Sequence, residues 1–363
     1  MNTHRLFAGT GLALIMLQGQ AFAQIDTTDE IIVTATKRAQ TLQEIPVAVS
    51  VVGASEIERA EIQDLRDLQS LVPSLQINQL QSSANTNFII RGFGNGANNA
   101  GIEPSVGVFV DGVYRSRSAS QISDLPNLQR VEVLRGPQST LFGKNASAGV
   151  ISIVTQKPQF ETQGSVEASY GNFNAFRVKG DVTAPLSETV AFSLSGNFNS
   201  RNGYAEDLAT GNEINELNRW GVRGQLFFEP SDNLEFRLIA DYDEIDEVCC
   251  VAANLINGPK GGAVQGSGGQ INGEDPFSYD VFGNFDSINE VENSGISLQA
   301  DYEIGDFATL TSITSYRTSD LVQNADSDFT SADLIGNNFN DTQIDTFTQE
   351  VRLTSNSTDS RFD

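Results

Sequence analysis

Few side chains in this sequence can do chemistry, and their positions limit what that chemistry is. The 363 residues hold one histidine, His4, and two cysteines, Cys249 and Cys250. His4 lies in an N-terminal segment that reads as a removable leader, so the mature chain lacks the commonest general base and commonest metal ligand. Histidine-based hydrolase and zinc chemistry are excluded on that ground, and the expectation is no enzyme, no catalytic residue, no cofactor and no metal. Cys249 and Cys250 are adjacent and follow the acidic run DYDEIDE, Asp241 to Glu247. In an exported protein they are expected to oxidise. A bridge between neighbours is strained, because adjacent Cα atoms lie about 3.8 Å apart and ordinary disulfides prefer more; it would stiffen a loop mouth. Pairing with cysteines further along a longer chain, and a metal site without histidine, are the other two readings. The acidic run offers oxygens to Ca²⁺ or is a solvated strand end. GFGNGANNAG, Gly92 to Gly101, resembles a dinucleotide loop in its glycines only. It lacks the following helix and the acidic residue about 20 positions on.

The leader sets the compartment. Met1 to Arg5 carries one basic side chain, Leu6 to Leu17 is apolar and uncharged, and Ala21-Phe22-Ala23 puts small residues where a signal peptidase reads, so cleavage falls before Gln24. The apolar run is too short to span a bilayer, and no cysteine at the cleavage point marks a lipoprotein. The net charge of −25 argues against nucleic acid as a partner, which needs a basic face. It fits a chain kept soluble in transit that then presents acidic loops outside. Past the leader no stretch approaches a spanning helix, so a membrane protein of this composition has to be a closed β-barrel.

The elements that must position these groups fall into two regions. Residues 38–158 read as mixed α+β. Pro46 to Gly53 is β-prone; Ser55 and Glu58 form a capping box, and Ile57, Ile62, Leu65, Leu68 and Leu71 recur at near-helical spacing up to Pro73. FIIRGFG (Phe88 to Gly94) and VGVFVDGVYRSR (Val106 to Arg117) follow, with Asp111-Gly112 as a hairpin-turn signal. NLQRVEVLRGPQSTLFGKNASAGVISIVTQKP, Asn127 to Pro158, reads as a strand through Val131, Val133 and Leu134, a Gly136-Pro137 turn, a loop from Gly143 to Gly149 and a strand from Val150 to Val154. From residue 163 apolar and polar residues alternate strictly, as in Phe192, Leu194 and Phe198 or Trp220, Val222 and Leu226, giving one lipid-facing and one lumen-facing side. Short turns at Ala184–Glu188, Glu229–Asn233, Ile304–Asp306 and Asn356–Ser360 alternate with long polar links at 202–216, 248–291 and 321–340. About eight strands are expected between residues 163 and 355, of an antiparallel transmembrane barrel with short turns at one end.

These motifs, in this order, resemble the plug of TonB-dependent outer-membrane receptors, and DEIIVTATK near the N-terminus resembles their TonB box. The resemblance implies a leader (1–23), a tail with the box (24–37), a plug domain (38–158) and the first part of a barrel (159–363). It implies 22 strands around a filled lumen, hence an N-terminal portion of a longer protein, since TDSRFD lacks the aromatic strand end read by the barrel-assembly machinery. The short spacer before the box leaves no room for an added signalling domain, which needs roughly 50 residues. The box, Glu30, Ile31, Ile32, Val33, Thr34 and Ala35, would add as a strand to the edge of TonB, driven by inner-membrane motor proteins. Arg91 and Arg135 are placed against the barrel wall, and Glu350, on the inward register when Phe347, Val351 and Leu353 face lipid, is the expected partner of one of them. The other reading is that both arginines tie plug strands together. The implied function is active transport across the Gram-negative outer membrane of a scarce ligand, by default a ferric siderophore. Vitamin B12, a saccharide or an aromatic compound is the alternative cargo, and a passive porin or adhesin barrel the alternative class.

Overall fold

The computed structural model describes residues 32–356 except 35, 39, 63, 81, 96–98, 100, 123, 125–126, 249–257, 273–274, 276 and 336–337. In the N-terminal part the strands are β1 (Ile32–Val33), β2 (Gln40–Thr41), β3 (Val49–Gly53), β4 (Leu75–Gln79), β5 (Thr86–Ile90), β6 (Phe93–Gly94), β7 (Val106–Val110), β8 (Val113–Arg115), β9 (Leu128–Arg135) and β10 (Gly149–Thr155). They form a five-stranded sheet in the order β3-β9-β10-β7-β8, a three-stranded sheet β4-β5-β6 and the two-stranded β1-β2. Only β7 and β10 pair in parallel within the five-stranded sheet.

Strand alternation gives this sheet two packed faces. Val131, Val133, Ile151, Ile153, Val106 and Val108 point to one side, against Ile57, Leu65, Leu68, Val72 and Phe88. Leu134, Val150 and Phe109 point to the other, against Val33 and Ile45. Asp111 and Gly112, at φ 47 and 78, close the β7–β8 hairpin with Val110 opposite Val113, which is the geometry of a type I′ turn.

The apolar spacing from Ile57 to Leu71 folds as helical pieces with a buried face: α1 covers Ala54–Arg59, Glu61 takes φ 52, and Asp67–Ser70 is a short 3₁₀ turn. The expected capping pair is corrected. The Glu56 carboxylate, not Glu58, caps the helix by accepting the Gly53 N–H at 3.2 Å. The break follows from Asp64, whose carboxylate accepts the Arg66 backbone N–H at 2.7 Å, a local side-chain bond that competes with helical continuation.

The C-terminal part is one antiparallel sheet: β11 (Gln163–Tyr170), β12 (Phe176–Pro185), β13 (Val190–Arg201), then, past the loop strands β14 (Ala205–Asp207) and β15 (Glu213–Ile214), β16 (Leu217–Ser231) and β17 (Leu234–Glu247). After β18 (Asp280–Val281) come β19 (Ile288–Ile304), β20 (Ala308–Ala325) and β21 (Asn338–Ser355). The eight long strands pair in chain order. Leu194, Trp220, Leu226, Ile296, Leu298, Phe347 and Val351 are exposed on one face, while Ala191, Ser193, Arg219, Arg223, Gln225, Arg237 and Arg317 are buried on the other. An apolar outside and a polar inside is the inverse of a soluble sandwich and the signature of a barrel wall. β19 and β20 run further into the expected long links, because Ile288↔Asn324 to Glu292↔Asp320 stay paired where the outward side chains have already turned polar.

Candidate functional site

The tail is docked, not free. Ile32 and Val33 pair with Thr41 and Gln40, so this stub finds its partner seven residues on, in a ladder too short to show as a periodic pattern. Val33 is fully buried, packed with Ile45, Phe109, Leu134, Ala146 and Val150. Thr34 then donates its N–H to both carboxylate oxygens of Glu132, at 2.9 and 3.1 Å, and its hydroxyl to Oε1 at 3.1 Å. Arg130 Nε completes the group at 2.7 Å from Glu132 and its Nη2 reaches Thr34 Oγ1 at 3.3 Å. Of the expected box, Glu30, Ile31 and Ala35 lie outside the described residues.

Three residues later the tail meets the wall. Lys37 Nζ lies 2.9 Å from Glu350 Oε2 on β21 and 4.5 Å from the centre of the Phe142 ring, a cation–π distance. Burial lowers the Lys37 ammonium below its usual value, and Glu350 only partly offsets this. Glu350 is also 2.5 Å from Arg352. This corrects the expected pairing with Arg91 or Arg135: the plug-side cation on Glu350 is Lys37. Arg135 instead donates to the backbone carbonyls of Val49 at 3.2 Å and Ala48 at 3.5 Å, joining β9 to β3 within the plug. Arg91 sits exposed in the β5–β6 turn at φ 53. Around the tail a cavity of about 890 Å³ is lined by Lys37, Arg38, Gln40 and the short turns at 188–189 and 229–235; the tail therefore stands at the short-turn end of the wall.

Deeper in, two joints fix the plug to the wall. At the first, Asp111 in the β7–β8 turn accepts from Thr155 N at 3.0 Å and Thr155 Oγ1 at 2.8 Å, from Arg223, and from Arg237 Nη1 at 3.2 Å. Arg237 also reaches Thr155 Oγ1 at 2.8 Å and Gln225 Oε1 at 2.7 Å. Burial alone would raise the Asp111 carboxyl, yet Arg237 and Arg223 hold it below the usual range. At the second, Arg219 of the wall faces Glu247 at 2.5 Å and the plug residues Asp64 and Asp124 at 3.4 and 3.7 Å. Nearer the long-loop end, Asn289 donates to Ser83 at 2.6 Å and Thr346 to Ser116 at 3.0 Å. Lys144 and Arg117, at 2.6 and 3.0 Å from Glu103, push its carboxyl down to about 2.

Sequence reading missed Glu132, Lys37 and the wall arginines as a set. The signal for Glu132 is present: a carboxylate inside Val131-Glu132-Val133-Leu134 has to find a partner where the strand is packed on both faces. Cys249 and Cys250 lie outside the described residues. Among the described residues no metal-binding group of three or more His, Cys, Asp or Glu occurs.

The comparisons with known proteins agree with this architecture. The TonB-dependent Receptor Plug Domain family matches residues 41–150. The Pesticin receptor of Yersinia pestis is 31% identical over 195 residues, 53% of this chain and 28% of that protein. The Ferrioxamine B receptor of Salmonella typhimurium is 32% identical over 211 residues, 53% of this chain and 29% of that protein. The chain thus spans less than a third of the length of these relatives. Among solved structures, the ferric yersiniabactin uptake receptor from Yersinia pestis superposes with a TM-score of 0.71 at 23% identity, covering 87% of this chain and 46% of that one. The polar-lined wall, the plug bound to it and these matches agree: residues 41–150 carry the TonB-dependent receptor plug domain, and the chain as a whole is similar to TonB-dependent outer-membrane receptors.

Proposed function

We propose that this protein takes up a ferric siderophore across the Gram-negative outer membrane by TonB-dependent active transport. The observation that carries the transport reading is the tail: a short strand stowed at the short-turn end of the wall, held by a two-pair ladder and a few polar bonds. Such a segment can leave its site and add to the edge of a periplasmic partner, where backbone hydrogen bonds supply the grip. TonB is that partner in this reading. The plug–wall joints then resist while the tail moves, and no bond of the cargo is made or broken, so the protein is a transporter and not an enzyme. The cargo class rests on the relatives, among them a Ferrioxamine B receptor and a ferric yersiniabactin uptake receptor. A second cargo, vitamin B12, is favoured by the Vitamin B12 transporter of Vibrio vulnificus, 27% identical over 194 residues. The barrel-assembly machinery and outer-membrane lipid are further partners in this proposal.

The test is uptake of radio-iron on a siderophore panel, and of labelled cobalamin, with residues 30–35 deleted. Loss of uptake with surface levels unchanged supports active transport. Uptake that survives the deletion refutes it and leaves a passive pore. Cobalamin uptake without iron uptake moves the cargo and keeps the mechanism.

A further inference from the structure

Glu132 is out of character with its strand. It is fully buried, and its Cα neighbours across the sheet are Val51 and Ser152, neither of which carries a charge. Its carboxylate accepts the amide and hydroxyl of Thr34 and the guanidinium of Arg130. A buried carboxylate is costly unless its lone pairs are met, and here three of its four hydrogen bonds come from the tail, 98 residues away in sequence.

We propose that Glu132, positioned by Arg130, is a retention site for the tail, a clasp on Thr34 that has to open before TonB can bind. The inference rests on the transport reading above. Its logic is competition for one donor. A strand adds to a partner's edge through its backbone amides, and the Thr34 amide is already committed to Glu132, while Val33 is sunk in the plug core. The docked tail and the TonB-bound tail are therefore exclusive states. The equilibrium between them is set by how well the clasp holds. Glu132 acts through Thr34 and touches no cargo.

The clasp predicts that weakening the carboxylate frees the tail without disturbing the rest of the plug. Full-length receptor in outer membranes from cells lacking TonB, with Cys249→Ser, Cys250→Ser and Val33→Cys, is labelled with a maleimide. Glu132→Gln keeps the shape and removes the charge, and Thr34→Val removes the hydroxyl and keeps the amide. Labelling is expected about tenfold faster in Glu132→Gln, the loss of one charge-assisted bond, and less accelerated in Thr34→Val. Val108→Cys, buried on the opposite face of the sheet, serves as the control. If Val108→Cys labels faster in the Glu132 variant too, the residue merely holds the plug together and the assignment falls. If Val33→Cys labels at the parent rate, there is no clasp. Because TonB is absent from this assay, either failure leaves the transport reading standing on the deletion test alone.

Discussion

Asp111→Asn should loosen the plug from the wall more than any other single isosteric change at the joints. The native carboxylate is buried and serves two wall arginines and one plug threonine at once. Removing one partner of a buried ion pair costs about 3–5 kcal/mol. Arg223 retains Asp241 at 3.2 Å, and Arg237 retains Gln225 at 2.7 Å, so the loss falls at the lower end, about 3 kcal/mol. With a urea dependence of about 1–3 kcal/mol per M, the midpoint of plug opening drops by about 1–3 M. The assay is maleimide labelling of Val108→Cys across a urea series, in full-length protein lacking the two native cysteines. A double-mutant cycle with Arg237→Gln should show a coupling of about 1–3 kcal/mol. A midpoint within about 0.3 M of the parent, or strict additivity in the cycle, would refute the joint as described.

Acid should reproduce part of this effect. The folded-state pKa of Asp111 is depressed, so its contribution is present above the unfolded value of about 3.9 and is lost as pH falls below it; the urea midpoint should stay level from pH 8 to 5, fall below about pH 4, and fall less in Asp111→Asn. Lys37→Ala should speed labelling of Val33→Cys by about two- to fivefold, the worth of a pair that is only partly buried; an unchanged rate would mean the Glu350 contact does not hold the tail. On the lipid face, Leu298→Arg should cost about 2–4 kcal/mol and reduce the heat-modifiable folded fraction in vesicles, and an unaffected fraction would place that face away from lipid.

The wall was more legible in the sequence than the site. Period-2 alternation is a repeated signal, so residues such as Leu226 and Leu298 declare their face many times over, and the inward register of Glu350 followed directly. The partner of Glu350 did not follow, because Lys37 reaches it across 313 residues and no local pattern encodes such a contact. In the α1 region the helical spacing marked the buried Ile57, Leu65 and Leu68, while the positive φ of Glu61 that parts the pieces and the choice of Glu56 over Glu58 as the capping acid left no pattern to read.

The two-pair ladder of β1 and β2 has a consequence for how the plug yields. Antiparallel strands drawn apart from one end unzip, breaking one residue pair at a time, and here there are only two pairs to break. The five-residue parallel ladder of β7 on β10, pinned by Asp111 at its far corner, would be strained in shear, with its bonds sharing the load together. A pull on the tail therefore meets a compliant first stage and a stiff second one. The residues joining β1 to β2, drawn straight once the two pairs have parted, set how far a partner travels before the stiff stage engages, so lengthening residues 35–39 with a flexible insert would delay transmission without weakening either stage.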